Sequence, residues 1–304
     1  MTDTGDTRCG FVAILGAPNV GKSTLLNRLV GAKVSIVSPK VQTTRTRVLG
    51  ICIEGDAQVI FIDTPGIFAP KRRLDRAMVA SAWGGAADAD ETLLLIDASR
   101  GIDGDTRNII DGLKKQAGDK PNIVLAINKV DLVKKEALLK LIADLTETGL
   151  FREIFMISAQ TGDGVPEMMT YLAGGVRKGP WLYPEDQMSD MPSRLLAAEI
   201  TREQLYRQLH QELPYAATVE TEEWEQREDG SITIRQIIYI ERPSQKGIVL
   251  GKGGQKIKSL GAASRKELES MFECRVHLFL FVKVREKWGD DPDRYRDWGL
   301  DYNA

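Results

Sequence analysis

One octapeptide restricts the fold of this chain more than any other feature. Residues 16–23, Gly16-Ala17-Pro18-Asn19-Val20-Gly21-Lys22-Ser23, fit GxxxxGK[ST]. The apolar run 11–15 precedes them, and a helical pattern opens near Lys22 and continues through Thr24. A glycine-rich turn from a buried strand into a helix belongs to a sheet flanked by helices. Further apolar runs at 48–53, 59–62, 92–96, 123–127 and 154–157 alternate with helical segments as far as about residue 172. The expected fold of this half is an α/β sheet flanked by helices, with strands buried on both faces.

The octapeptide implies a polyphosphate ligand. Its glycines let the backbone wrap around negative charge, so that successive N–H groups and the helix N-terminus converge on it. Lys22 would reach the β and γ oxygens, and the Ser23 hydroxyl would bind Mg²⁺. The loop cannot choose the base, but Asn128-Lys129-Val130-Asp131, which follows the run 123–127, can. An Asp131 carboxylate accepts from guanine N1–H and the 2-amino group together. Adenine offers neither donor and would leave it unpaired, at a cost of about 1 to 3 kcal/mol.

Three more segments complete the pattern. Asp63-Thr64-Pro65-Gly66 follows the run 59–62. Alone it is a turn, but in this order it offers a carboxylate for Mg²⁺ and a glycine N–H for the γ-phosphate. Ser158-Ala159 offers backbone N–H to guanine O6. Thr43 and Thr44 lie in the polar stretch 38–47, where a threonine can close on Mg²⁺ when a γ-phosphate is present; Thr44 is preferred. Lys22, Thr44 and Gly66 are thus the candidate catalytic groups, Ser23, Thr44 and Asp63 the Mg²⁺ ligands, and GTP/GDP with Mg²⁺ the expected ligands.

Residues 174–192 break into Gly-Gly, Gly-Pro, Tyr-Pro and Met-Pro, the best linker candidate. The expected division is a tail at 1–9, a nucleotide-binding domain at 10–173, the linker, an α+β domain at 193–288 and a second tail at 289–304. Within 193–288 a long helix reaches about residue 213. Two strands follow about Asp229-Gly230, then two helices around 251–254 and a strand at 276–284.

Together the nucleotide motifs resemble the translation-factor class of GTPases. The run 16–26, with Gln42-Thr43-Thr44-Arg45 and Asp63-Thr64-Pro65-Gly66, is similar to the Era-like family. The resemblance implies a Ras-like fold, a doubly wound and mostly parallel sheet. Where Ras-type enzymes place a water-positioning glutamine, this chain has Ile67, which excludes side-chain catalysis there. Two substitutes are open: a K⁺ ion, for which the resemblance points to Asn19 as ligand, or a partner that supplies or orders a catalytic group.

In the second half, Gly251-Lys252-Gly253-Gly254 joins two helices and leads into Lys256 and Lys258. This helix-GxxG-helix arrangement resembles a type II KH domain, whose loop clamps the backbone of about four nucleotides. Basic residues between 242 and 287 outnumber Glu267, Glu269, Glu273 and Glu286, the polarity a phosphate backbone requires, although the whole chain carries a net charge of only −2. The five tryptophans sit at no base-stacking spacing, and His210 and His277 have no orienting partner in the sequence.

One Ras-like domain followed by one KH domain is the arrangement of the Era-like family over nearly the whole chain. It implies a ribosome-assembly factor that binds the 3′ end of 16S ribosomal RNA and the 30S subunit as a monomer, with GTP favouring the RNA-competent state. It also implies peripheral association with the inner membrane, although no apolar stretch approaches the ~18 to 20 residues of a membrane span. The chain has no apolar signal core at its start, which suggests a cytoplasmic protein. Cys9, Cys52 and Cys274 are too widely spaced for a disulfide framework or a metal knuckle. Two other readings compete: a GTPase of a tRNA-modification system, and an RNA-binding module with GTP as a structural ligand.

Overall fold

The computed structural model describes residues 7–116, 122–209 and 213–304. They divide into two compact units. The first takes in the described residues of Met1–Ser35, Thr44–Asp190 and Tyr295–Ala304, and the second those of Ile36–Thr43 and Met191–Arg294.

In the first unit, β1 (Arg8–Gly16) leads through the glycine-rich turn into α1 (Lys22–Val30). β2 (Val48–Glu54) and β3 (Ala57–Asp63) form a hairpin about Gly55, whose φ of 61° suits the tight turn. Then follow α2 (Arg73–Asp88), β4 (Glu91–Asp97), α3 (Gly104–Gln116), β5 (Ile123–Asn128), α4 (Lys135–Thr146), β6 (Glu153–Met156) and α5 (Val165–Gly175). The sheet order is β2-β3-β1-β4-β5-β6, with β2 antiparallel to β3 and the remaining pairs parallel. Every residue of β3, β4 and β5 is buried, so these strands are covered on both faces and their sequences do not alternate. β1 pairs with β3 on one side and β4 on the other. Strand order therefore reverses at its carboxyl end, where open α/β sheets bind ligands.

Residues expected as a linker lie along this unit. The Cys9 N–H donates to the Arg177 carbonyl at 3.0 Å, and the Ile51 N–H to the Met188 carbonyl at 2.9 Å. Gln58 Oε1 accepts from the Leu182 and Tyr183 N–H groups. Polar groups left over by the strands are thus satisfied by the stretch itself. Residues 295–304, expected within a tail, pack here too: Tyr295 and Leu300 are buried with Ala77 and Met78 of α2.

The second unit contains α6 (Ser193–Gln208), β7 (Ala217–Gln226), β8 (Ile232–Ile240), α7 (Pro243–Leu250), α8 (Gln255–Phe272) and β9 (Val276–Val284). Its sheet order is β7-β8-β9, antiparallel and then parallel. The sequence α-β-β-α-α-β is the type II KH order, as expected. Ala198, Leu205, Val219, Ile238, Ile240 and Leu260 join α6, the sheet and α8 in one core. Trp288 is buried and donates to the Ala216 carbonyl at 2.9 Å. The helix expected to reach about residue 213 is described only to Gln208; His210 lies outside the described residues. No helix among the described residues is long and apolar enough to cross a membrane.

Candidate functional site

At the carboxyl end of β1 the backbone turns through Gly16 (φ 154°) and Gly21 (φ 104°). A Cβ on Gly16 would stand 2.6 Å from the Leu95 carbonyl oxygen, and one on Gly21 would stand 2.3 Å from Asn128 Nδ2. The loop closes only with glycine at both positions. Pro18 covers Gly66, where an added Cβ would meet it at 3.0 Å, and the Ile67 N–H donates to the Gly16 carbonyl at 3.1 Å. Ile67 is itself buried. Asn19 takes the left-handed conformation, φ 64°. Ala17 and Val20 are buried, and the first turn of α1, with Thr24, follows directly. The Lys22 ammonium donates to the Gly16 and Ala17 carbonyls, both at 3.1 Å. Burial pushes its pKa down to about 8, partly offset by Asp63.

Asp63, at the end of β3, is the charged centre of the loop floor. Its Oδ2 accepts from Ser23 Oγ at 2.7 Å and Ser35 Oγ at 2.9 Å, and Thr44 Oγ1 lies 3.5 Å away. Ser23 Oγ and Thr44 Oγ1 share a hydrogen bond of 2.8 Å. Asp63 Oδ1 is buried without a hydrogen-bond partner. Burial raises the carboxyl pKa, while Lys22 and the three hydroxyls pull it back. A carboxylate with one oxygen unengaged and two hydroxyls of the Ser23 and Thr44 type is an all-oxygen donor set, which suits a hard cation such as Mg²⁺. Within the second unit, Thr43 Oγ1 bonds Ser38 Oγ at 2.6 Å and donates to the Lys40 carbonyl at 2.7 Å. Thr64 is also buried, donating to the Ile14 carbonyl at 2.7 Å; Pro65 continues the chain toward Gly66.

At the end of β5, Asn128 Nδ2 donates to the Val20 carbonyl at 2.8 Å and Oδ1 accepts from the Ala159 N–H at 2.9 Å. One amide thus joins the phosphate loop to the 158–162 loop. Lys129, at φ 65°, donates to the Asn19 carbonyl at 2.7 Å and to Asp97 Oδ2 at 2.6 Å. Val130 and Asp131 form a short 3-10 turn, and the Asp131 side chain is exposed. The Ser158 and Ala159 N–H groups, expected to face guanine O6, donate to the Asp163 carbonyl and Asn128 Oδ1. The turn after β6 satisfies the first, and the Asn128 amide at the end of β5 the second.

Four residues of this site are not named by motif reasoning. Ser35 bonds Asp63, and Asp97 bonds Lys129. Arg28 of α1 donates to the Ala159 and Gln160 carbonyls at 2.7 and 2.6 Å, and Arg100 donates to the Pro18 carbonyl at 3.1 Å. Asp97 had a signal: it ends an apolar strand as Asn128 does, and the two are register partners.

In the second unit, α7 and α8 meet at a turn where Gly251, Gly253 and Gly254 all have positive φ, 70°, 60° and 77°. A Cβ on Gly251 would stand 2.6 Å from Lys256 Cβ. Lys252 is exposed at the turn, and Lys258 lines an open groove of about 340 Å³ with Ile257, Gly261, Ala262, Arg265, Leu278 and Leu280. Small residues on α8 leave the groove open, aliphatic residues floor it, and cations edge it. Such a surface accepts bases and their phosphates.

Comparison with known proteins gives the same two parts. The family described as "50S ribosome-binding GTPase" matches residues 11–129, and the family "KH domain" matches residues 212–289. GTPase Era of Rhizobium meliloti (strain 1021) is 62% identical over 97% of this chain and 94% of its own length. GTPase Era of Brucella suis biovar 1 (strain 1330) is 58% identical over 99% and 96%. Among solved structures, Era in complex with MgGDPNP and nucleotides 1506–1542 of 16S ribosomal RNA has a TM-score of 0.90 at 39% identity, covering 96% of this chain and 99% of that one. An Aquifex aeolicus Era variant bound to GDP·AlF4⁻ matches with the same values.

Proposed function

The chain belongs to the Era family of GTPases, and from that premise we propose that it couples a GTP cycle in its first unit to a grip on the 3′ end of 16S ribosomal RNA in its second. It binds GTP and GDP with Mg²⁺ and hydrolyses GTP to GDP and phosphate. The observation that carries the nucleotide half is the buried Asp63 carboxylate, surrounded by the Ser23, Ser35 and Thr44 hydroxyls beside Lys22. In this reading the N–H groups of residues 16–24 cradle the phosphates, and Lys22 stabilises charge on the β and γ oxygens. Ser23, Thr44 and Asp63 hold Mg²⁺, directly or through water. Mg²⁺ held there would supply neutralisation of negative charge on the phosphate oxygens. The Gly66 N–H reports the γ-phosphate, and Asp131 selects guanine.

No side chain at position 67 can orient the attacking water, because Ile67 is apolar and buried. We propose that either K⁺ near Asn19 or a group supplied by a partner takes its place, so that hydrolysis is slow without help.

For the RNA half, the clamp is Gly251, Lys252, Gly253 and Gly254 with Lys256 and Lys258, and the bases lie over the α8–β9 groove. This is supported by the positive-φ turn, by the cations beside an apolar floor, and by the RNA complex of the Era structure that this chain resembles. We place the protein in the cytoplasm, in assembly of the 30S subunit. The test is to crosslink cellular RNA to the intact protein and sequence what is retained. The reading requires enrichment of mature 16S 3′ ends, lost in Gly253→Asp while GTP binding persists. Undiminished crosslinking by that variant would remove the clamp assignment.

A further inference from the structure

Within the first unit, three successive carbonyls of the phosphate loop are each held by a side chain from beyond a neighbouring strand end. Val20 accepts from Asn128 Nδ2 at 2.8 Å, Asn19 from the Lys129 ammonium at 2.7 Å, and Pro18 from Arg100 Nη1 at 3.1 Å. Asn128 and Lys129 belong to the base-recognition motif. Arg100 belongs to no motif and lies in the turn between β4 and α3. That turn is well tied: the Asp97 carbonyl accepts from the Arg100 and Gly101 N–H groups at 3.1 and 3.0 Å. The guanidinium is steadied by Asp103, whose Oδ2 stands 2.5 Å from Arg100 Nη2. Asp103 is itself fixed where α3 begins, its Oδ1 accepting from the Thr106 N–H at 2.8 Å.

The peptide bond between Pro18 and Asn19 is trans, so the Pro18 carbonyl and the Asn19 N–H point in opposite directions from one rigid plane. The ring of Pro18 fixes that residue's own φ. Asn19 takes φ 64°, a left-handed conformation that a residue with a Cβ adopts only with outside support. Arg100 and Lys129 hold the two peptide planes that flank Asn19, and together they settle its conformation. Pro18 also lies against Gly66, where an added Cβ would meet its backbone at 3.0 Å. The Pro18–Asn19 peptide is therefore at the end of the loop beside the glycine assigned to the γ-phosphate.

We propose that Arg100 is a positioning residue for the GTPase reaction: by holding the Pro18 carbonyl outward it turns the Asn19 N–H inward, toward the γ-phosphate end of the bound nucleotide. The inference rests on the reading that the Gly66 N–H meets the γ-phosphate. Arg100 itself touches no reacting atom. Its side chain is 42% exposed, so water replaces it in part when it is removed and no buried gap is left.

The test uses the intact protein and measures equilibrium affinities for GDPNP and GDP, each with Mg²⁺, alongside single-turnover hydrolysis and thermal unfolding. Arg100→Met, which removes the donor and keeps the stem, should lower the GDPNP-to-GDP affinity ratio about 3- to 10-fold, slow hydrolysis, and leave GDP affinity within about twofold. Arg100→Lys, which keeps a donor, should recover part of the ratio. Asp103→Asn, which keeps an acceptor for the Thr106 N–H and loses the charge beside Arg100, should shift the ratio the same way by less. Gly66→Ala, whose methyl would press on Pro18, should lower the ratio through the γ-phosphate contact itself. A lowered ratio in Gly66→Ala, beside Arg100→Met and Asp103→Asn proteins that lose both affinities equally or neither, would overturn the positioning role alone. If Arg100→Met does not fold, Asp103→Asn decides. An unchanged ratio in Gly66→Ala would overturn the γ-phosphate reading and this inference with it.

Discussion

Asn128 donates from Nδ2 to the Val20 carbonyl, 2.8 Å away, and so ties the end of β5 to the phosphate loop across 108 residues of sequence. The group is buried, so its loss leaves a carbonyl without its donor. Asn128→Asp removes that donor and sets a carboxylate oxygen against the carbonyl. GTP affinity should fall about 10- to 100-fold, equivalent to about 1 to 3 kcal/mol, by equilibrium titration. Wild-type affinity in this variant would mean the tie is not needed.

Base choice is assigned to Asp131, exposed on its 3-10 turn. Xanthine carries a C2 carbonyl where guanine carries an amino group. Asp131→Asn should therefore weaken GTP binding by about 1 to 3 kcal/mol and strengthen xanthosine triphosphate binding. Competition of the two nucleotides for the variant measures both, and unaltered preference for GTP would place base recognition elsewhere.

Protonation supplies a third check. Burial holds the Lys22 ammonium near 8 against an ordinary 10.5. Because the folded value is lower than the unfolded one, the unfolded chain binds more protons between about pH 8 and 10.5, and Lys22 makes the free protein more stable as pH rises through that window. Phosphate oxygens favour the charged form and raise the value again. Binding of GTP should take up protons above about pH 8, and affinity should decline as pH rises further. Calorimetry at pH 8.5 in two buffers of different ionisation enthalpy reads the uptake directly; no uptake, with affinity flat to pH 10, would refute it.

Cation dependence separates the two substitutes for a water-positioning side chain. If K⁺ sits at Asn19, exchanging K⁺ for Na⁺ should slow single-turnover hydrolysis, and Asn19→Ala should abolish the difference between the cations. Equal rates in both salts would shift the missing function to a partner.

Much of this was legible in the sequence because its carriers are local. The octapeptide 16–23, Asp63 to Gly66 and Asn128 to Asp131 each follow an apolar run, and the fold places them at strand ends on one edge of the sheet. The helix-GxxG-helix turn is equally local, since glycine alone tolerates its φ values. Contacts between distant, ordinary-looking residues were not legible. Arg202 and Glu203 carry no motif, yet both are buried, ion-paired along the helix with Glu199 and Arg207 and hydrogen-bonded to backbone groups at Thr43 and Val37, more than 150 positions away. Residues 295–304 fall within the expected tail, but aromatic packing of Tyr295, Trp298 and Tyr302 sets them against α2. Ser35 carries no motif, and only its distance to Asp63 reveals its part.

The central claim is that the nucleotide in the first unit governs the RNA grip of the second. Its most direct test is the affinity of the intact protein for a 3′-terminal 16S RNA fragment, measured at fixed salt with Mg²⁺ and either GDPNP or GDP. A coupling of about 1 to 3 kcal/mol, tighter with GDPNP by roughly 5- to 150-fold, is the predicted result. Equal affinities in the two nucleotide states would contradict it.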